Sequence, residues 1–257
     1  MNNDREAAER AAHDMRRLLG GTGALSPHDP DSFFIAGRQW NPGRLIEVLR
    51  PYLTDARAER IGEVLSGRTY GVVPVLESPA NTGNVSAVMR TAEGLGYQGF
   101  HVVANTAVYK HSERTARGAD KWLDVRRWTS PEDCAAYLRE QGYRIVATHL
   151  EAAIPIEEID FTRKTAVVFG NEKEGVSPEM LALADERIVV PMSGFVQSFN
   201  ISVAAAVVLY HAYRDRMARR GHHGDLTDAE CEALRALFYL RSVTSAERIL
   251  ERIGAES

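Results

Sequence analysis

The chain has 257 residues, 44% hydrophobic and 26% charged, an ordinary globular balance that excludes disordered and collagen-like classes. Its formal net charge of -4 argues against a general nucleic-acid coat, although net charge is silent on local patches. The longest apolar runs, such as ISVAAAVVLY, fall well short of the roughly 18 residues that span a bilayer, so no membrane partner is expected.

The N-terminal segment MNNDREAAERAAHDMRRLLGG has no signal-peptide core, and it carries Asp4, Glu6, Glu9 and Asp14 where transit peptides are poor in acids. Cys134 and Cys231 make neither a metal-ligand spacing nor a disulfide framework. A cytoplasmic protein without a metal is expected. Next come a loop at GGTGALSPHDPDS and a helical stretch at DARAERIGEVLSGR, so residues 1–69 read as a helical N-terminal extension.

From Tyr70 onward, β-branched runs alternate with amphipathic segments of helix length. YGVVPVLE, GFHVVAN, YRIVATHL, TAVVFG and ERIVVPM read as buried strands. Ser130 before Pro131, and Ser177 before Pro178 and Glu179, supply N-cap and first-turn residues in the order a helix start needs. The alternation predicts an α/β domain over residues 70–220, with a mainly parallel sheet covered on both faces. GHHGD then reads as a linker into a helical C-terminal extension, residues 221–257, whose helix starts at a capping box of Thr227 and Glu230.

GLGYQG, Gly94 to Gly99, matches the GxGxxG pattern. A dinucleotide loop must follow a strand and open a helix; this one follows a helical pattern and precedes FHVV, so it reads as a helix C-cap and excludes a nicotinamide-dependent oxidoreductase. Three other loops have the right polarity. In ESPANTGNVSAVMRTA, Asn84 is placed to cap a helix that carries Arg90; a bare cap and a surface arginine explain the same residues. In VVFGNEKEGVSPEML, a strand runs into Gly170, a charged loop and Gly175, where open α/β sheets bind ligands. A plain turn explains the glycines but not the density of Asn171, Glu172, Lys173 and Glu174. In PMSGFVQSFNISVAAAVVLY, a strand feeds a polar loop and then an Ala-rich helix whose first N–H groups favour an anion or a carboxylate.

These three loops together resemble the three ordered motifs of the SPOUT-class RNA 2'-O-ribose methyltransferases, the SpoU or TrmH family. Asn84 with Arg90 matches the first, FGNEKEGV the second and VPMSGFVQSFNISVAAA the third, within a likeness over about residues 57–216. ATHLEAAIPIEEIDFTRKTAVVFGNEKEGV and PEMLALADERIVVPM resemble the members that methylate the D-loop guanosine at tRNA position 18. The resemblance implies a C-terminal deep trefoil knot, S-adenosylmethionine as cofactor, a tRNA or other structured RNA as substrate, and a homodimer. It carries cofactor contacts onto Thr148, Gly170, Val190, Met192 and Phe199, and catalytic or site-shaping roles onto Asn84, Arg90, Glu172, Ser198 and Asn200. Phe199 departs from the family's usual Leu, a change that a backbone contact survives.

The resemblance also implies RNA contacts at Arg57, Arg60, Arg68, Lys121 with its neighbour Trp122, Arg214 and Arg216. They fall in or near basic runs, YKHSERTARGADKWLDVRRW and YRDRMARR, that a solvated face explains equally well when each is taken alone. Arg90 matches a family arginine often given the role of proton acceptor. A guanidinium holds its charge far above neutral pH, which instead favours a phosphate clamp that stabilises a developing oxyanion. The motifs are shared with enzymes that act on ribosomal RNA or the tRNA wobble position, so they do not separate these substrates. A catalytically silent RNA-binding protein on the same fold is the alternative of another class, and intact Asn84, Arg90, Glu172 and Asn200 argue against it.

Overall fold

A computed structural model of the chain describes residues 27–28, 30–104, 118–151 and 153–255. By internal contacts it divides into two units, Gly67–Asp225 and, together, Met1–Ser66 with Leu226–Ser257.

In the Gly67–Asp225 unit VVPVL, GFHVV and TAVVF are too apolar to leave either face in water and are buried throughout, and all five of the expected runs become strands. These are β3 (Val72–Glu77), β4 (Gly99–Val103), β6 (Arg144–Thr148), β8 (Thr165–Phe169) and β9 (Glu186–Val189). Two further strands, β5 (Asp124–Trp128) and the short β7 (Ile154–Pro155), had not been expected. β5 lies inside a basic run whose arginines mask the alternation, and β7 is too short to carry a period. In space the seven strands run β5-β4-β3-β8-β6-β9-β7, and every pairing is parallel.

Parallel neighbours need helical crossovers, and the alternation along β3 shows where they pack. Val72 and Leu76 face α3 (Thr82–Gly94) and α6 (Ile201–Arg220), whose Val85, Val88, Met89, Ala205, Val208 and Leu209 fill that core. Val73 and Val75 face α4 (Pro131–Glu140) and α5 (Pro178–Leu183), through Cys134, Leu138 and Met180. The small Ala205 and Ala212 are fully buried, and α6 lies along α3.

The chain leaves β3 towards β4 and β5, then crosses to β6 and leaves a gap that β8 fills. The register pairs Leu76 with Phe169, Ala147 with Val168 and Thr148 with Ile188. The C-terminal ends of β3, β8, β6 and β9 therefore finish level along one edge, at the switch point where open sheets hold ligands.

GLGYQG closes α3 as expected of a C-cap. Gly96 N–H bonds Glu93 O and Tyr97 N–H bonds Ala92 O, at 3.1 and 2.9 Å, the paired pattern of a Schellman end. Gly96 has φ +87°, and a Cβ there would lie 2.3 Å from Gly67 O. Glycine is required by that approach, not by a phosphate.

In the other unit, β1 (Phe34–Ile35) and β2 (Arg38–Gln39) form a hairpin. Ala36 and Gly37 both have positive φ, as a two-residue hairpin turn demands. Helices α1 (Pro42–Leu49) and α2 (Asp55–Ser66) follow, both against α7 (Asp228–Ser242). The Thr227–Glu230 capping box is formed in both directions. The single terminal helix expected beyond it is two: Val243 is extended and Ser245 has φ +58°, so the chain breaks and restarts as α8 (Ala246–Ala255). Most of the expected GGTGALSPHDPDS loop lies outside the described residues. Among the described residues, no helix is long and apolar enough to cross a membrane.

Candidate active site

The loop after β3 is held in an uncommon shape. Ser78 has φ +46°, a left-handed conformation that L side chains rarely adopt, and its N–H bonds Val103 O at 2.8 Å. Asn81, not Asn84, caps α3: its Oδ1 accepts from Gly83 N–H at 2.7 Å. That correction matters because it releases Asn84, in the first turn, for contacts across the site.

Asn84 Nδ2 donates to Glu172 Oε1 at 2.7 Å. Asn84 Oδ1 accepts from Asn200 Nδ2 at 3.4 Å. Asn200 in turn is the N-cap of α6, its Oδ1 accepting from Ser202 N–H at 2.9 Å and from Ser202 Oγ at 2.6 Å. Donors thus run one way, from Ser202 through Asn200 and Asn84 to the carboxylate, each amide orientation set by its neighbour. Three motifs separated by up to 116 residues meet here.

Glu172 also accepts from Ala80 N–H at 3.2 Å. Burial pushes its carboxyl up, but the Asn84 bond and nearby backbone N–H groups outweigh it and hold the group below the usual carboxylate range. An ionised, weakly basic carboxylate suits fixing a loop better than accepting a proton.

Thr148, Gly170 and Val190 stand at the ends of the adjacent strands β6, β8 and β9. Thr148 Oγ donates to Val168 O at 3.0 Å. At Gly170 a Cβ would lie 2.0 Å from the Gly175 carbonyl carbon, so only glycine admits this backbone approach. Asn171 and Gly175 close the loop with reciprocal backbone bonds of 2.8 and 2.9 Å. The result is a row of closely approaching backbone at the strand ends, with Gly170 buried and Thr148 and Val190 half-buried, at the edge where open α/β sheets hold ligands. Met192 is half-buried, while Ser198 and Phe199 lie in the exposed loop before α6, beside Phe195 and Val196.

A family match described as SpoU rRNA methylase covers residues 71–210. The chain belongs to that family. A tRNA (guanosine(18)-2'-O)-methyltransferase of Thermus thermophilus is 42% identical over 165 residues, 64% of this chain and 85% of the relative. The crystal structure of the TrmH/SpoU tRNA modifying enzyme of A. aeolicus superposes with a TM-score of 0.68 at 31% identity, covering 74% of this chain and 98% of the other. The SpoU methyltransferase AviRb of Streptomyces viridochromogenes, solved with its cofactor AdoMet, gives a TM-score of 0.55 at 26% identity, covering 61% and 64%.

Within this SpoU family chain, the fold brings Asn84, Glu172 and Asn200 together and leaves Arg90 apart. Six residues of helix carry Arg90 about 240° round and about 9 Å along from Asn84, to the side opposite the buried Val85, Val88 and Met89; it is exposed. Ser198 is exposed as well.

Two of the expected RNA contacts need correction. Arg68 is 1% exposed and donates to Glu93 Oε1 at 2.6 Å and to the Glu93 and Tyr97 carbonyls. Arg216 is fully buried and donates to Asp225 Oδ2 at 2.6 Å, His223 O at 3.0 Å, Thr69 Oγ and Phe161 O. Neither guanidinium faces solvent, so both act as internal braces. Arg214 is exposed, Lys121 sits over the Trp122 ring at 4.9 Å, Arg57 reaches Ser242 Oγ and Arg60 pairs with Glu63 at 2.8 Å. Residues 109–117 of the first basic run lie outside the described residues.

Sequence reasoning missed Glu77. It ends VVPVLE in step with Val73 and Val75, which point into the α4 and α5 core. A carboxylate at a buried apolar position was the available signal.

Proposed function

We propose that the chain transfers a methyl group from S-adenosylmethionine to the 2'-hydroxyl of a ribose in tRNA, the D-loop guanosine at position 18. The observation that carries this reading is the Asn84–Glu172–Asn200 network at the level ends of β3, β8 and β6, in a chain of the SpoU family. When bound, the cofactor supplies an electrophilic methyl on a sulfonium, so the protein's task is to position and to stabilise charge.

Backbone at Gly170, Val190, Met192 and Phe199, with Thr148, holds the donor. Glu172, Asn84 and Asn200 fix the loops around the reacting ribose. Arg90 clamps a phosphate and stabilises the charge that develops on the 2'-oxygen. Ser198 holds a phosphate from the loop before α6. Exposed Arg57, Arg60, Lys121 and Arg214 contact the RNA backbone.

We infer further that the loop before α6 and α6 itself form the deep trefoil knot, one of the exceptions to unknotted chains, and that the enzyme is a cytoplasmic homodimer. A patch of exposed Val203, Val207 and Tyr210 over the first turns of α6, short of Arg214, supports the dimer, since its i, i+4, i+7 spacing suits a helix seam. Residues 1–69 and 221–257 act as extensions of a methyltransferase domain at 70–220.

Incubation with methyl-labelled S-adenosylmethionine and total RNA, followed by nucleotide mapping, tests the reading. Label at the ribose of guanosine 18 in tRNA is expected. Label confined to ribosomal RNA or the wobble nucleotide overturns the substrate, and absence of label in every RNA overturns the reaction.

A further inference from the structure

Glu77 is 2% exposed at the end of β3, between β4 and β8. A buried carboxylate is costly unless its oxygens are engaged. Here Oε2 accepts from Ser177 N–H at 2.9 Å and Oε1 accepts from Ser177 Oγ at 2.5 Å. Because the Ser177 hydroxyl donates to Glu77, its oxygen lone pairs are left to accept from Met180 N–H at 3.1 Å, which is the cap of α5. One carboxylate thereby fixes the far end of the Gly170–Ser177 loop.

The near end is fixed by the next residues of the same strand exit. Asn171 Nδ2 donates to Ser78 O at 2.6 Å, and Asn171 Oδ1 accepts from Lys173 N–H at 2.8 Å. Ala80 N–H and Asn84 Nδ2 then take the two oxygens of Glu172. Residues 77, 78, 80 and 84 thus grip residues 177, 171 and 172 in sequence along one seam. Among these grips, the Glu77 pair is the one in the protein interior, where a hydrogen bond to a charged acceptor is strongest.

We propose that Glu77 is a positioning residue for the methyl-transfer site: through Ser177 it clamps the second loop to β3, and so sets the Gly170 backbone that receives the cofactor and the carboxylate of Glu172. The inference rests on the reading that this loop holds S-adenosylmethionine. Glu77 touches no reacting atom and takes no proton from substrate.

The experiment compares Glu77→Gln, Ser177→Ala and Ser177→Thr in the full chain, by amide hydrogen exchange without cofactor and by calorimetric titration with S-adenosylmethionine. Glu77→Gln sets an NH2 group against one of the two Ser177 donors; Ser177→Ala deletes one donor; Ser177→Thr keeps both. Exchange at the Gly175 and Ser177 amides is expected to rise tenfold or more in the first two, with β6 and α4 amides unchanged. Cofactor affinity is expected to fall about tenfold in the same two and to match the parent in Ser177→Thr, while tRNA affinity without cofactor stays at the parent value. Parent-like exchange or parent-like cofactor affinity in Glu77→Gln and Ser177→Ala overturns the proposal, as does a uniform rise of exchange through the whole unit. Should Glu77→Gln fail to fold, Ser177→Ala decides. A parent chain that binds no S-adenosylmethionine instead defeats the reading of the site, and loop exchange still decides whether the clamp exists.

Discussion

Arg68 and Arg216 differ from Arg90 and Arg214 in nothing the residue type reveals, yet the fold sends the two pairs opposite ways. Arg216 lies two positions after Arg214 on α6, about 200° round the helix, and that turn takes it from solvent into a buried cage of Asp225, Thr69, His223 and Phe161. The contrast teaches that basic side chains which look alike in sequence divide into buried ones that brace the fold and exposed ones that a phosphate can reach. Burial of the guanidinium separates them.

The largest expected effect breaks a brace. Arg216→Met leaves Asp225 with Arg220 at 2.8 Å as its remaining ion-pair partner and strips the donor from two buried carbonyls. Removing one partner of a buried pair costs about 3–5 kcal/mol, so the urea midpoint should fall steeply. A stability within about 0.5 kcal/mol of the parent would mean that Arg216 is not a brace.

Arg90→Ala probes the other side. An exposed side chain with no hydrogen bond among the described residues should be lost with little change in stability, within about 0.5 kcal/mol. If it stabilises the developing oxyanion, turnover should fall about a hundredfold or more, equivalent to about 2.7 kcal/mol, with cofactor affinity preserved. Retained turnover would remove Arg90 from the chemistry.

How much of this was legible in the sequence follows from which signals are local. Strand and helix identities at VVPVLE, TAVVF and the Ser177-Pro178 start rest on periodicity and capping, which neighbouring residues determine, and the structure repeats them. The meeting of Asn84, Glu172 and Asn200 is not local. It depends on β8 entering the gap between β3 and β6, and only the likeness to a known family anticipated it. Asn84 looked like a cap because caps are a local pattern too, and Asn81 satisfied that pattern three residues earlier. Arg68 and Arg216 were misjudged because their partners, Glu93 at 25 residues and Asp225 at 9, carry no mark in sequence that distinguishes a brace from a surface pair. β5 stayed hidden for the related reason that its apolar Val125 and Trp128 fall three apart, on opposite faces, with Arg126 and Arg127 between them, so DVRRW shows no period of two.

Histidines sharpen the contrast at smaller amplitude. His101 accepts at Nδ1 from Trp128 Nε1 at 2.9 Å, and burial, helped by Arg126, pushes its pKa down to about 3. Burial followed by Arg216 takes His223 to about 4. Both lie below the unfolded value of about 6.5. Above that pH both states are neutral; below it the unfolded chain takes up protons that the folded chain refuses, so stability is lost as pH falls from about 6.5 towards 4 and 3. The slope is about 1.4 kcal/mol per pH unit for each histidine, or about 2 kcal/mol each between pH 6.5 and 5. In urea titrations His101→Gln should remove about half of that pH dependence. An undiminished slope would show that the buried imidazole is not its source.

The smallest effect is also the most discriminating. Arg214→Ala removes an exposed charge from the same helix that carries the Arg216 brace, so stability should hold within about 0.5 kcal/mol. Each phosphate neutralised contributes about 0.9 to the slope of log affinity against log salt. Arg214→Ala should therefore lower that slope by about 1 and weaken binding about equally for every tRNA offered. Arg216→Met, examined under conditions where it remains folded, should leave the slope where it was, because a guanidinium already neutralised by Asp225 releases no counterion from RNA. If instead both variants lower the slope, the cage around Arg216 opens when RNA binds, and its bond to Asp225 is exchanged for one to phosphate. If neither does, Arg214 belongs to the solvated face that its charge run equally allowed.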